Sequence, residues 1–477
     1  MPFRLQDTLT GETREFEPLE PGVVRMYNCG PTVYSSPHLG NYRAWTWPDV
    51  LRRALELAGY RVRQVMNLTD VGHLTLDDIE SGEDKLEAAA RREGRTAWQI
   101  AERYIAEFFE VVERLNLRRA EAYPRATDHV ADMIEIIAGL IERGHAYVTE
   151  AGNVYFDVST FPAYGRLSKN SVEDLVAGAR VEVLTEKRHP ADFALWKRDP
   201  NHQMQWPSPW GEGFPGWHIE CSAMARKYLG DTLDIHTGGE DNVFPHHECE
   251  IAQSEGFLGR PFVRFWLHNR HLLVDGRKMA KRDGTFHTFR DVEERGHSMR
   301  ALRYLLLSTH YRLPMNFTWD SLAAAERTVA GLDAAVRAAV ADASRADRPE
   351  VAAQAAASEA QFLAALEDDL NVSAALAVVH EFRSFVNRSA PFSTADAARV
   401  RAAWERLDSV LGLELLAQAD AAPAAREDDA EIQALVDART AARAAREWAR
   451  ADALRDELAA RGIALEDTPA GVRWSRR

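Results

Sequence analysis

Apolar positions in the first 75 residues fall into two kinds of run. Residues 23–34 and 61–71 are rich in Val, Tyr and Met with short period-two stretches and predict strands. Residues 47–59 between them carry helical spacing that stops at Gly59. Strand, helix, strand is a βαβ unit, which implies a parallel sheet. A long polar helical stretch follows over 84–116, then a helix over 128–144 and a β-like segment over 152–164. Beyond a loop rich in proline and tryptophan (200–215), the βα rhythm returns at 233–256 and 262–275. The expected fold class is therefore α/β, a doubly wound parallel sheet split by an insertion.

From about residue 314 strand signals vanish. Alanine-rich helices run to 416, with a softer segment at 341–358. Residues 414–429, with Pro423 and alternating small and charged residues, predict a linker. A small module follows, read as one long amphipathic helix over 432–461 and a short β-like tail. The expected boundaries are 1–119 and 211–314 for the two halves of the sheet, 120–210 for the insertion, 315–416 for a helical bundle and 430–477 for the last module.

Composition narrows the class. At roughly 150 residues per domain, the chain fits about three domains. With 46% apolar and 27% charged residues among 477, disordered, collagen-like and coiled-coil classes are excluded. Lys and Arg number 58 against 73 Asp and Glu, a net charge of −15, which argues against wholesale coating of nucleic acid but leaves room for a local basic surface. No apolar stretch approaches the ~20 residues that span a bilayer, and the opening MPFRLQDTLTG carries no signal-peptide pattern. Three cysteines, Cys29, Cys221 and Cys249, are too few for a disulfide scaffold. In a reducing cytosol they read as buried small hydrophobes, metal ligands or a reactive thiol.

Three segments carry chemistry. The first, residues 28–41 (NCGPTVYSSPHLGN), leaves the first strand and enters a helix. Ligands of doubly wound folds sit beyond the carboxyl ends of strands, and phosphates favour helix N-termini. Gly40 admits close backbone approach there, and His38 is placed to donate to phosphate oxygens. The second comprises 215–221 (PGWHIEC), 234–241 (DIHTGGED) and 244–250 (FPHHECE). Pro245 suits a first helical turn, and His246 and Glu250, four apart, share a face. With Cys29 and Cys221 they make a donor set suited to Zn²⁺. Cys249 lies three residues from His246, so spacing leaves a closed Cys₃His site open as well. The third, 275–284 (DGRKMAKRDG), places Arg277, Lys278, Lys281 and Arg282 between glycines, a loop able to close over a polyphosphate.

Together these segments resemble the cysteinyl-tRNA synthetase family of class I aminoacyl-tRNA synthetases, from the opening strand to the last module. The HLGN run at 38–41 is similar to the HIGH motif, and KMAKR at 278–282 to KMSKS. GWHIEC and FPHHECE resemble the family's zinc and cysteine pocket. The resemblance implies one Zn²⁺ held by Cys29, Cys221, His246 and Glu250, which favours Glu250 over Cys249. It implies Thr69 and Trp217 at the cysteine, Asp241 near the amino group, and an ATP site of Gly30, His38, Gly40, Asn41, Gly238, Gly239, Lys278 and Lys281. His38, Asn41, Lys278 and Lys281 would be its catalytic groups. In the last module, Trp448, Asp452 and Asp467 would contact the tRNA anticodon, joined by Trp474, with Arg439, Arg443, Arg446 and Arg450 on phosphates.

The implied activity is two-step: L-cysteine and ATP, with Mg²⁺ on the phosphates, give cysteinyl-adenylate, and the acyl group passes to the 3′ end of tRNA(Cys). A monomeric cytoplasmic enzyme is expected. Serine differs from cysteine by one atom, and a small pocket separates such near-isosteres only ~10²-fold. Selectivity of ~10⁴ needs about 5.5 kcal/mol, for which metal–sulfur bonding is a source. Three departures from the family pattern stand out. Asn41 replaces the second histidine of HIGH, Ala280 and Arg282 replace the serines of KMSKS, and VGHLT at 71–75 stands where many relatives carry an acidic, lysine-containing stretch. Two competing readings are the cysteine ligase of mycothiol synthesis, whose family lacks a full anticodon module, and a non-catalytic tRNA-binding paralogue.

Overall fold

The computed structural model describes residues 2–72, 74–76, 81–170, 186–279, 284–420, 429–468 and 471–476. The chain divides into two compact units, 1–416 and 417–477. At the centre of the first lies a four-stranded parallel sheet. Its strands are β1 (Val23–Asn28), β2 (Arg61–Met66), β3 (Leu233–Gly239) and β4 (Val263–Asn269), in the order β4-β3-β1-β2. The chain runs from β1 outward to β2 and, much later, from β3 outward to β4. The carboxyl ends of β1 and β3 therefore flank the point where the winding reverses, the usual ligand position in open sheets of this kind.

Helix α1 (Leu39–Leu57) joins β1 to β2 and starts eight residues before the predicted 47. Pro48 mimics a first-turn proline but sits inside the helix, whose true cap is His38, with Asn41 completing a capping box. The predicted strands 23–34 and 61–71 stop at Asn28 and Met66. The polar stretch 84–116 forms two helices, Lys85–Glu93 and Ala97–Arg114. Gly94, at φ +64°, closes the first, and the Thr96 side chain caps the second.

The insertion carries a four-stranded antiparallel sheet of Ala146–Val148, Val154–Phe156, Phe193–Lys197 and Phe214–Pro215. Its last strand leads directly into α2 (Trp217–Leu229). Beyond β3, α3 (Glu248–Leu258) returns the chain to β4. Leu272–Val274 then pairs antiparallel with Arg277–Lys278 and parallel with Met315–Phe317. That last strand corrects the expectation that strands end near 314: three residues are too few to show a period of two.

Four long helices follow, Trp319–Ala338, Pro349–Glu367, Val372–Ser389 and Thr394–Leu411. Phe362, Phe382 and Trp404 fill their core, each worth roughly 1.5–3 kcal/mol of burial. A buried charged knot ties α1 to this region. The fully buried Arg303 donates to Asp49 Oδ2 at 2.6 Å and to the Leu411 and Leu115 carbonyls, and Arg53 donates to the same carboxylate at 2.9 Å.

The second unit contains helices Asp429–Ala444 and Trp448–Ala460, then a hairpin of Ile463–Thr468 with Gly471–Arg476. The single helix expected over 432–461 is broken at 445–447, where Arg446 takes φ +61°. Folding back lets Ile432 and Val436 of one helix bury against Leu458 of the other and Ile463 of the hairpin. A straight helix would leave both faces in water. Among the described residues no helix is long and apolar enough to cross a membrane.

Candidate active site

A cavity of about 310 Å³ opens beyond the carboxyl ends of β1 and β3. Cys29 and Gly30 reach it from the end of β1, His38 and Asn41 from the start of α1, and Asn67 and Thr69 from beyond β2. Gly238 and Gly239 end β3 at its edge, and Trp217 and His246 close its inner wall. Chain segments far apart in sequence thus meet because parallel strands deliver all their carboxyl ends to one edge.

At the inner wall Cys29, Cys221, His246 and Glu250 place their ligand atoms within 4.8 Å of one another. Cys221 comes from α2, Glu250 from α3, and His246 from the irregular turn just before it. Phe244, with extended backbone at φ −140° and ψ 135°, kinks the chain just before Pro245, so His246 and Glu250 lie on the same side of the kink, four apart in helical backbone as their spacing predicts. The pair meets, His246 Nε2 lying 3.1 Å from Glu250 Oε1. Cys249 stays out of the group: its sulfur is 3.4 Å from the Tyr164 hydroxyl. A second set, Cys29, His236, His247 and Glu250, overlaps the first and shares two of its members.

These histidines form a buried network that the sequence pattern does not reveal. His236 on β3 lies 2.9 Å from Glu250 Oε2. His247 Nε2 lies 3.1 Å from the Cys29 sulfur, and its Nδ1 is 2.7 Å from His268 Nε2 on β4. His218 Nδ1 and His246 Nδ1 are 3.0 Å apart, and the Trp217 ring stacks on His246 with centroids 4.4 Å apart. The available signal was histidine in three separate motifs, with nothing to say that they converge.

Environment sorts the charges. Burial alone would lower His246, but Cys221 and Glu250 lift it to about 10. Burial alone would raise Glu250, yet His236 and His246 hold it at about 2. Burial, joined by the neighbouring rings, drives His247 well below the ordinary histidine range, and His268 to about 3. Burial likewise raises the thiols of Cys29 and Cys221. Two thiols, an imidazole and a carboxylate converging in a dry wall make a donor set that a borderline-soft divalent cation fits, and its binding would displace the thiol protons.

At the opposite lip, the Gly40 N–H donates to His38 Nδ1 at 3.1 Å, and the His38 N–H donates to Asn41 Oδ1 at 3.0 Å. A neutral His38 therefore carries its proton on Nε2, and the Asn41 amide is oriented by its cap bond. Three expected substrate- and ATP-site residues, Gly40, Asp241 and Lys278, stand apart from the cavity lining. Asp241 is 70% exposed, 3.3 Å from His271 Nε2 and 3.8 Å from Lys278 Nζ, which is itself 75% exposed. Lys281, with Ala280 and Arg282, lies outside the described residues. In the second unit Trp448 is exposed and Asp452 faces solvent four residues on, beside Arg455. Asp467 opposes Val472 and Trp474 opposes Leu465 in the hairpin backbone. Asn67, Tyr104, Phe108 and Phe286 also line the cavity. Asn67 was detectable as a polar residue just past the second parallel strand; the aromatic three were not.

Comparison with known proteins places this geometry. Residues 15–327 match the family of class I (C) tRNA synthetase catalytic domains, 361–416 the DALR domain, and 426–474 the cysteinyl-tRNA ligase anticodon binding domain. Over 487 aligned residues and the full length of both chains, the sequence is 47% identical to the cysteine–tRNA ligase of Symbiobacterium thermophilum.

The chain belongs to the cysteine–tRNA ligase family.

It is also 44% identical to a family member from Thermus thermophilus, over 98% of each chain. Solved class I structures share the fold at low identity. A methionyl-tRNA synthetase of Mycobacterium tuberculosis, bound to methionyl-adenylate, aligns with a TM-score of 0.58 at 14% identity, covering 87% of this chain and 94% of that one. A leucyl-tRNA synthetase of Agrobacterium radiobacter in a ternary complex aligns at 0.59 and 12% identity, covering 86% of each. The parallel sheet and the helical region that follows it in the chain are the class I fold expected from the sequence, and the last module matches the anticodon binding domain.

Proposed function

We infer that this chain is a cysteine–tRNA ligase, joining L-cysteine to the 3′ end of tRNA(Cys) with conversion of ATP to AMP and diphosphate. The observation that carries the reading is the convergence of Cys29, Cys221, His246 and Glu250, of which Cys29 and His246 line the cavity that His38 and Asn41 also line. Zn²⁺ held by those four residues would supply a centre that takes a thiolate in preference to a neutral hydroxyl.

The chain's own groups account for the rest. Trp217 and Thr69 close the walls around a small side chain, which limits what fits. In the first step the cysteine carboxylate attacks the α-phosphorus of Mg-ATP and diphosphate leaves. His38 Nε2–H and the Asn41 amide donate toward the phosphates, with Gly30, Gly40, Gly238 and Gly239 admitting them to the backbone. Lys278 and Lys281 offset the growing negative charge. Asp241 and Lys278 lie side by side at the edge, and Asp241 would turn toward the substrate amino group as Lys278 swings onto the phosphates. In the second step the terminal adenosine of tRNA takes the acyl group and AMP departs.

The domain boundaries proposed from the sequence follow this division of labour. The halves 1–119 and 211–314 hold chemistry, 120–210 is the insertion, 315–416 the bundle, and 430–477 presents Trp448, Asp452 and Asp467 to the anticodon. The enzyme acts as a cytoplasmic monomer. The match of 426–474 to an anticodon-binding domain favours tRNA over an amino sugar as the acceptor. The test is cysteine-dependent ATP–pyrophosphate exchange, run beside serine, with metal analysis and tRNA charging. Exchange with cysteine, little with serine, one zinc per chain and charging of tRNA(Cys) are expected; exchange without any charging overturns the ligase reading.

A further inference from the structure

Resting on that reading, one buried carboxylate close to the amino-acid half of the cavity has no role in it. Glu220 on α2 is fully buried, one residue before Cys221. Its Oε2 accepts from the Thr69 hydroxyl at 2.9 Å, while its Oε1 has no hydrogen-bond partner among the described residues. A buried carboxyl with one bond is expensive to keep, so the single bond it makes calls for a reason.

The reason lies in the direction of the bonds. The Gly30 N–H donates to Asn67 Oδ1 at 2.8 Å, which obliges the Asn67 amide to point its Nδ2 the other way. Asn67 Nδ2 donates to Thr69 Oγ1 at 3.0 Å, and Thr69 passes its own proton to Glu220. The backbone fixes both ends of this chain. A β-carbon on Gly30 would stand 1.8 Å from the Asn67 carbonyl oxygen, so only glycine permits the approach. Thr69 is bridged to the strand end, its N–H donating to the Pro31 carbonyl and its carbonyl accepting from the Val33 N–H, both at 3.0 Å. With its proton committed and one lone pair occupied, the hydroxyl of Thr69 has only an acceptor position left.

Gly30, Asn67 and Thr69 all line the cavity. An amino acid bound there offers a carboxylate and a sulfur, which do not pair with an acceptor, and an ammonium group, which does. We propose that Glu220 is a positioning residue for substrate recognition: through Thr69 it holds a hydroxyl lone pair at the cavity wall for the α-ammonium group of the amino acid. The Asn67 amide fixes the polarity, and Oε2 of the Glu220 carboxyl group, by accepting the Thr69 proton, keeps Thr69 from donating into the site.

The test compares Thr69→Val, Thr69→Ser, Glu220→Gln and the Val/Gln double variant of the full-length zinc-loaded enzyme. Cysteine-dependent exchange gives KM for cysteine and for ATP, and 3-mercaptopropionate, which has the thiol and carboxylate but no ammonium, is used as a competitive inhibitor. Thr69→Val and Glu220→Gln are expected to raise the cysteine KM about tenfold, the worth of one hydrogen bond to a charged group. ATP KM, zinc content and 3-mercaptopropionate inhibition stay within about twofold of wild type, Thr69→Ser restores cysteine KM, and the double variant is no worse than the poorer single one. If 3-mercaptopropionate weakens in parallel with cysteine, or the two substitutions multiply in the double variant, the proposal is overturned while the ligase reading stands. A wild-type enzyme without cysteine-dependent exchange would overturn both.

Discussion

The side chain of Met279 occupies the space that any side chain on Gly40 would need. A β-carbon there would lie 2.6 Å from the Met279 Cε and 3.0 Å from the His38 ring. The start of α1 and the root of the basic loop thus touch across a glycine. Methionine's end is flexible, so a methyl at Gly40 would push Met279 aside without breaking the fold, and alanine is the better helix former by up to ~1 kcal/mol. For Gly40→Ala we expect a melting temperature equal to or slightly above wild type, and a rise in ATP KM with an exchange rate roughly tenfold lower. A lower melting temperature with ATP kinetics intact would contradict this contact's role.

Metal content should separate Cys221 from Cys249. Cys221 belongs to the ligand cluster and Cys249 bonds instead to Tyr164. Elemental analysis of Cys221→Ser should show loss of the zinc together with cysteine activation. Cys249→Ser should retain both. The reverse result would move the metal to a Cys₃His set.

The knot of Asp49, Arg53 and Arg303 makes acid stability a sensitive reporter of the α1 packing. Burial alone would raise the Asp49 carboxyl, but Arg303 and Arg53 more than offset it and hold it below the ordinary value of 3.8. A depressed folded-state value means the stabilisation is present above pH 3.8 and drains away as pH falls below it toward the folded-state value. Asp49→Asn leaves two buried arginines without their anion and should cost about 3–5 kcal/mol at neutral pH. Urea unfolding from pH 7 to pH 3 should show a steeper acid loss for wild type than for the variant; parallel curves would exclude the knot as its source.

Trp448 is 59% exposed at the start of its helix, so removing it leaves the core of Ile432, Val436 and Leu458 untouched. Trp448→Ala should reduce tRNA charging about tenfold through loss of base stacking, with cysteine-dependent exchange and thermal stability unchanged. Equal loss of exchange and charging would break the separation of the two units' tasks.

Periodicity located most elements because each was written locally. The βαβ opening, the return of the rhythm at 233–275 and the helical stretch beyond 314 follow from spacing alone. Boundaries failed where local signals compete. Pro48 imitated a helix start, and residues 29–34 kept β-like composition past the end of β1, where regular pairing shrinks to the isolated Thr32–Thr69 bridge. The long helix of the last module was misread because its apolar stripe continues through Arg446, where only the backbone turn reveals two antiparallel helices.

Residue chemistry was likewise legible one motif at a time. Cys29, Cys221, His246 and Glu250 announce a metal-binding donor set by type, and HLGN announces a helix start suited to phosphate. Sequence alone did not say that Cys249 turns to Tyr164, that Asp241 sits at the rim beside Lys278, or that His236 and His268 join the ligands from neighbouring strands. Nor did it hint that Thr69 meets Glu220, 151 positions away. Spacing encodes which face of one element a side chain takes, a relation that spans a few residues. Which faces then meet is decided by the order of parallel strands and the packing of helices against them, and those contacts exist only once the whole sheet has closed.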